Sequence, residues 1–181
     1  MSILRPFRAN DLFRFNNINL DIWTETYSIS FYLNYLARWP DLCCVQQAAN
    51  GALMSYVLGK VEGHGTEWHG HVTALTVAPE YRRLSLGRNM MHLLQRISDK
   101  VYHGYFVDLY VRLSNNKAIG MYESLGYSVY RRVKEYYGSK GPGDVEDEDA
   151  YDMRKPLSRD IGRRSVRPNG KDILVTAAEV P

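Results

Sequence analysis

A chain of 181 residues, 45% of them hydrophobic, is long enough to bury a sizeable core and too apolar to stay disordered. Its net charge of +3, from 23 basic and 20 acidic side chains, is too balanced to argue by itself for nucleic acid. Cys43 and Cys44 are adjacent, which excludes a disulfide framework and a Cys-x-x-Cys motif and fits a reducing compartment. No basic-plus-apolar leader opens the chain, and no apolar run nears the ~20 residues that span a bilayer, so the expected location is cytoplasmic. Tyrosines outnumber phenylalanines 14 to 5, which suits either a wet, polar-lined groove or a hydrogen-bonded core.

In chain order, Ile3 to Phe7 reads as a first strand. Asn10 or Asp11 can cap a first helix anchored by Leu12, Phe13 and Phe15, and a polar loop runs from Asn16 to Glu25. Ile29, Tyr32, Leu33 and Leu36 recur at helical spacing, and Trp39-Pro40 ends that helix. Leu42–Ala48 and Leu53–Glu62 read as strands around an Asn50-Gly51 hairpin turn. Trp68–Val77 is a further strand. Leu86, Met90, Leu93, Leu94, Ile97 and Val101 make a long amphipathic helix. Tyr105–Val111 reads as a buried strand, Asn115–Leu125 as a helix closed by Gly126, and Tyr127–Tyr137 and Ala150–Lys155 as the last strands. An acidic block, Asp144–Asp149, falls in solvated loop. The apolar pattern fades beyond Pro156. The expectation is one α/β domain over 1–157, with a mixed, mostly antiparallel sheet and helices on both faces, and a mobile tail over 158–181.

Residues 77–91 carry the most information. A strand passes into a helix through Arg82-Arg83-Leu84-Ser85-Leu86-Gly87. Small residues, paired arginines and the free N–H groups of a helix N-terminus make an anion cradle, the construction a phosphorylated cofactor needs. An ordinary surface turn is the plain alternative. Further on, Asn115, Ala118, Tyr122, Gly126 and Tyr127 set an Asn cap, a short helix and a Gly-Tyr stop in series. Asn115 and Tyr122 are two helical turns apart on one face, and so can flank one extended ligand.

With these two constellations the chain resembles the GNAT superfamily of acetyl-CoA-dependent N-acetyltransferases. That family's phosphate turn reads Arg/Gln-x-x-Gly-x-Gly/Ala and its later helix Asn-x-x-Ala-x-x-x-Tyr. Ser85 stands where the turn's first glycine is expected. Longer words, Phe13–Asp21, Thr24–Tyr27, Glu67–Leu75, Glu135–Tyr137 and Glu148–Lys155, make residues 1–160 similar to the NatB-type N-terminal acetyltransferase catalytic subunits. Ile22-Trp23 and the loop Gly63–Glu67 depart from the pattern.

The resemblance implies acetyl transfer from acetyl-CoA to the α-amino group of a protein that begins Met followed by Asp, Glu, Asn or Gln. It implies a large helical-repeat auxiliary subunit that docks on the ribosome and nascent polypeptide N-termini as substrates, with no direct nucleic acid and no membrane. Leu75 and Val77 would flank the pantetheine, and Arg82, Arg83, Ser85, Leu86 and Gly87 the pyrophosphate. Asn115 would hold the cofactor or a water, and Tyr122 would be the general acid for the leaving thiolate. Glu25, Tyr27, Thr73, Tyr136 and Tyr137 would form the peptide groove. His71 would accept a proton or bind the second residue. Alternation along the strand puts His71, Thr73, Leu75 and Val77 on one face, and alternation turns Tyr136 and Tyr137 opposite ways. His69 and His71 have no evident third ligand, so no metal site is expected.

An α-amine with a pKa of about 7.7–8.0 is already roughly a tenth to a sixth neutral near pH 7. A modest base, directly or through a water, therefore suffices, and no covalent enzyme intermediate is required. The cysteines are then packing residues. Serine at 85 would fit only with a negative φ and its side chain turned away, since glycine is what lets the backbone approach a pyrophosphate. Phe13, Phe15, Ile18, Leu20, Phe31 and Leu36 exceed what one small domain needs to bury and suit a docking face. Two rival readings remain: an inactive paralogue that occupies the auxiliary subunit, and a GNAT that acts on another amine.

Overall fold

A computed structural model describes residues 2–20, 23–138 and 147–180. Asp21, Ile22 and the first three residues of the acidic block, 144–146, lie outside the described residues. The strands are β1 (Ser2–Pro6), β2 (Cys43–Ala48), β3 (Leu53–Glu62), β4 (His69–Val77), β5 (Phe106–Arg112), β6 (Ser128–Tyr137), β7 (Glu148–Pro156) and β8 (Leu174–Thr176). The α-helices are α1 (Ile29–Arg38), α2 (Leu86–Lys100) and α3 (Asn116–Ser124). The chain packs as two compact units, one ending at Gly104 and one beginning at Tyr105.

In the first unit β1, β2, β3 and β4 form an antiparallel meander. Gly51 makes the expected tight turn at φ +86°, a conformation open to glycine. α1 covers one face through Phe7, Phe15, Tyr32, Tyr35, Tyr56 and Leu58. α2 covers the other, and its Leu94 lies so close to Gly59 that a Cβ there would stand 2.7 Å from Leu94 Cδ1. The helix expected after Asn10 is instead two short 3-10 turns, Ala9–Phe13 and Ile18–Leu20. The asparagines there engage the sheet rather than a helix: Asn17 Nδ2 donates to Leu53 O at 2.9 Å, and Asn19 Oδ1 accepts from Tyr56 Oη at 3.0 Å. Asp11 does not cap a helix from outside. It accepts two hydrogen bonds from Arg5, at 2.7 and 2.8 Å, and the Arg8 N–H at 2.9 Å.

In the second unit β7 lies between β5 and β6, antiparallel to both, and β8 pairs in parallel with β6. Asp152 is fully buried between Arg131, 2.9 Å away, and Arg154, 3.3 Å away. Burial and nearby Asp108 push its carboxyl upward against the pull of the two arginines. The stretch from 158, expected as a mobile tail, carries β8 and several fixed contacts. Asp160 accepts the N–H groups of Arg164 and Ser165, each at 2.9 Å. Arg167 lies over the Tyr130 ring at 3.4 Å. The backbone at Gly170 is pressed so closely on Val129 that a Cβ would overlap its carbonyl. Side-chain-to-backbone turns and a three-residue strand leave no apolar period to read. No described helix is long and apolar enough to cross a membrane.

Candidate active site

On β4 the pairing register with β3 slips between Leu58 and Gly59. Val72 pairs with Gly59 and Ala74 with Leu58, so Thr73 is the extra, bulged residue. The bulge breaks the strict alternation expected from sequence. His71, paired with Lys60, is turned to the α1 side, while Leu75 and Val77, paired with Val57 and Ser55, are turned to the α2 side. Thr73 is on the α1 side too, since its hydroxyl donates to Tyr35 Oη at 2.9 Å. The four residues expected on one face are therefore two pairs on opposite faces. His71 is buried, whereas Thr73, Leu75 and Val77 are half-buried.

Before α1, Glu25 is exposed and Tyr27 half-buried. The Tyr27 ring stacks on Phe31 at 4.2 Å, and its N–H donates to Tyr32 Oη at 3.2 Å. Ser28 begins the helix, accepting the Phe31 N–H with its side chain.

The turn from β4 to α2 is conformationally unusual. Arg83 and Ser85 have φ of +67° and +59°. Serine at 85 therefore adopts the left-handed, glycine-like backbone, contrary to the expectation of a negative φ. The Ser85 side chain, at the N-cap of α2, makes no capping hydrogen bond. In the turn that leads into it, Arg82, Arg83 and Ser85 are exposed, Leu86 is buried as an anchor and Gly87 is half-buried. Uncapped N–H groups beside positive-φ residues make an anion-binding concavity favoured by the helix dipole.

In the second unit, Asn115 Oδ1 accepts the Ala118 N–H at 3.2 Å and caps α3. That gives Asn115 a sufficient structural task of its own. Tyr122 is buried on the same helix, with its ring edge-on to Tyr127 at 5.9 Å. Burial pushes its phenol up to about 12, so it stays protonated throughout the physiological range.

Tyr136 and Tyr137 do not point opposite ways. Their rings lie 5.0 Å apart, edge to face. The cause is a second irregularity: Glu135 has φ +50°, and the β6–β7 register shifts between Val133 and Tyr137. Asp149 accommodates it by accepting the Glu135 N–H at 2.9 Å and Arg132 Nε at 2.6 Å. Tyr136 stacks on Tyr110 at 4.4 Å, and Tyr137 Oη donates to Tyr110 O at 3.0 Å.

Sequence reading did not single out three residues around this pair. Buried Arg112 lies 4.1 Å over the Tyr137 ring and 3.3 Å from Glu148. Glu148 also accepts the Ser114 N–H at 2.8 Å, and a second hydrogen bond from the Ser114 hydroxyl. Burial opposes ionisation of Glu148, but Ser114 and Arg112 outweigh it and hold the carboxyl below its ordinary range. The signal available in sequence for Arg112 was its place as the charged last residue of β5.

Cys43 and Cys44 are buried, and burial raises their thiols to about 12 and about 11. Neither is a ready nucleophile. Among the described residues no group of His, Cys, Asp or Glu is arranged to hold a metal ion.

The acetyltransferase (GNAT) family matches residues 12–127 of the chain. The N-terminal acetyltransferase B complex catalytic subunit naa20 of Schizosaccharomyces pombe is 54% identical over 182 residues, covering 99% of each chain. The crystal structure of Chaetomium thermophilum Naa20 in complex with a bisubstrate analogue is similar at a TM-score of 0.92 and 43% identity, covering 97% of each chain. A NatB acetyltransferase complex bound to CoA and MES is similar at a TM-score of 0.75 and 39% identity, over 86% of this chain and 99% of that one.

Proposed function

Because the chain belongs to the acetyltransferase (GNAT) family, among the catalytic subunits of N-terminal acetyltransferase B, we propose that it moves acetyl from acetyl-CoA to proteins beginning Met followed by Asp, Glu, Asn or Gln. The observation that carries the acetyl-CoA part is the uncapped start of α2 behind two left-handed residues, Arg83 and Ser85. Its N–H groups and those of Gly87 suit a pyrophosphate, with Arg82 and Arg83 adding positive charge. Leu75 and Val77 offer β4 backbone to the pantetheine, and Asn115 a polar contact to the cofactor or a water.

The incoming amine attacks the thioester carbonyl carbon, a C–N bond forms and the C–S bond breaks. Tyr122, protonated at working pH, gives its proton to the departing thiolate. His71, or a water it holds, takes the proton lost by the amine. Glu25 attracts the α-ammonium. Tyr27, Tyr136 and Tyr137 enclose the methionine, while His71 and Thr73 meet the second side chain with hydrogen-bonding groups. Deacylation of a covalent intermediate plays no part.

The chain works with a large helical-repeat auxiliary subunit, which brings it to nascent polypeptide N-termini at the ribosome in the cytoplasm. Phe13, Leu20 and Ile29 are exposed, Phe13 and Leu20 at 85% and 74%, and they offer apolar surface for docking. Phe15 and Ile18, counted toward that face from sequence, are core residues instead.

The test is acetyl transfer by the co-expressed complex to peptides starting Met-Asp, Met-Glu, Met-Asn, Met-Leu and Ser-Glu, and to a blocked peptide with an internal lysine. Turnover confined to the first three is expected. Turnover on the lysine or on Ser-Glu alone would refute the substrate class, and no turnover from a folded complex would refute the enzyme reading.

A further inference from the structure

We infer that Tyr35 is a specificity-positioning residue: its phenol orients the bulged Thr73 hydroxyl toward the second residue of the substrate. The inference rests on the proposed place of Thr73 in the peptide groove.

Thr73 is the one β4 residue the β3 register leaves without a partner position. A bulged residue is re-aimed relative to its strand, and its hydroxyl takes a partner from another element. Tyr35 supplies it, at 2.9 Å between the two hydroxyl oxygens. Tyr35 is itself held on both sides. On α1 and its C-cap, Phe31, Tyr35 and Trp39 recur every fourth residue, and their rings follow one another at 4.6 and 5.2 Å. Tyr27 extends the column, stacked on Phe31 at 4.2 Å. One run of aromatic rings thus links two residues assigned to the peptide groove, Tyr27 directly and Thr73 through the Tyr35 phenol. Tyr35 is only 6% exposed, so water does not readily replace its hydroxyl.

The chemistry follows from two hydroxyls in series. Each is donor and acceptor, and each rotates to suit its neighbour. In the free protein Thr73 donates to Tyr35. When an acidic or amide side chain offers an oxygen, the pair turns over: Tyr35 donates to Thr73, and Thr73 donates to the ligand. A chain of this kind strengthens the terminal donor. It serves Asp, Glu, Asn and Gln alike, because all present an acceptor oxygen, and it offers nothing to leucine.

The test is Tyr35→Phe in the co-expressed complex, alone and with Thr73→Val. For Tyr35→Phe, kcat/KM on Met-Asp and Met-Asn peptides should fall about five- to tenfold, mainly through KM, as loss of one hydrogen bond predicts. Residual turnover on Met-Leu should be unchanged, and in the Thr73→Val background Tyr35→Phe should cost nothing more. Equal losses on all peptides, or the same loss in the Thr73→Val background, would overturn the inference. A thermal melt of each variant shows whether the loss is one of folding, since Phe keeps the ring stack and removes only the hydroxyl. A wild-type complex without preference for Met-Asp over Met-Leu refutes the proposed substrate class, whereas a wild-type preference with additive losses refutes only the role of Tyr35.

Discussion

Ser85→Gly isolates the strain in the turn before α2. Ser85 sits at φ +59° and ψ +16°, where an L-residue loses about 1–2 kcal/mol and glycine loses nothing. Glycine also frees the unfolded chain, which returns about 0.4–1 kcal/mol of that gain. The net expectation is a stabilisation of about 0.5–1 kcal/mol, or about 1–4 °C in Tm for a chain of this size. Any part of the strain that the free protein relieves by letting the turn open is restored when pyrophosphate binds. Acetyl-CoA should therefore bind up to about fivefold tighter to the glycine variant, since about 1 kcal/mol corresponds to that factor. Ser85→Ala is the control. It keeps the Cβ and removes a hydroxyl that caps nothing, so it should stay within about 0.5 kcal/mol of wild type. Melting curves and calorimetric titration of the complex measure both quantities. If alanine matches glycine, or if glycine lowers Tm, the left-handed backbone is not the source of the effect and the reasoning fails. A higher Tm with unchanged affinity would mean that the turn stays closed in the free protein and refutes only the binding half.

Tyr122→Phe should lower kcat about a hundredfold or more with little change in Tm, measured by steady-state assay. With its phenol raised to about 12, the wild-type rate should climb through the α-amine pKa and show no falling limb below pH 10. A fall near pH 9 would exclude Tyr122 as the acid. Arg112→Met removes the guanidinium from both Glu148 and the Tyr137 ring. Full burial of such a pair would make the loss about 3–5 kcal/mol, but Glu148 is about a quarter exposed, so about 2 kcal/mol by denaturant melt is expected, together with a raised peptide KM. At acid pH, Asp11, Glu148, Asp149 and Asp160 all have folded pKa values below their ordinary ones, because hydrogen bonds and nearby arginines outweigh burial. Their stabilisation is complete above the unfolded range of about 4 and is lost as pH falls through the folded values. Melting temperature should drop steeply below pH 4, and Asp11→Asn should flatten that drop. Gly170→Ala should displace the segment carrying β8, because the new Cβ meets the Val129 carbonyl. Faster amide exchange at Arg132, whose N–H donates to Ile173 O at 2.8 Å, would report it.

Most of the regular structure was legible because its causes are local and periodic. The apolar stripe of α2, the Asn50-Gly51 turn and the Asn115 cap each carry their own signal, and each element lies within a residue or two of its expected bounds. Two regions were not legible, for a shared reason. In 9–20 and beyond 158 the backbone is fixed by single side chains reaching distant partners, Asn17 to Leu53 or Arg167 to Tyr130. Such contacts have no period. Asp160 and Gly170 look like ordinary loop residues until the carbonyl and N–H groups they meet are known.

The same distinction governs the candidate site. Its residue types were readable, but their directions were not, because both strands that carry them are irregular where they carry them. At Thr73 an extra residue turns His71 away from Leu75 and Val77. At Glu135 a left-handed residue brings Tyr136 and Tyr137 to one side. A regular strand would have put His71, Thr73, Leu75 and Val77 on a single face. The bulge puts His71 and Thr73 on one face of the strand and Leu75 and Val77 on the other, and it leaves Thr73 without a partner position on β3. Its hydroxyl finds its partner on another element, Tyr35 of α1, so on the proposed reading of the peptide groove a change of specificity would have to touch Tyr35 as well.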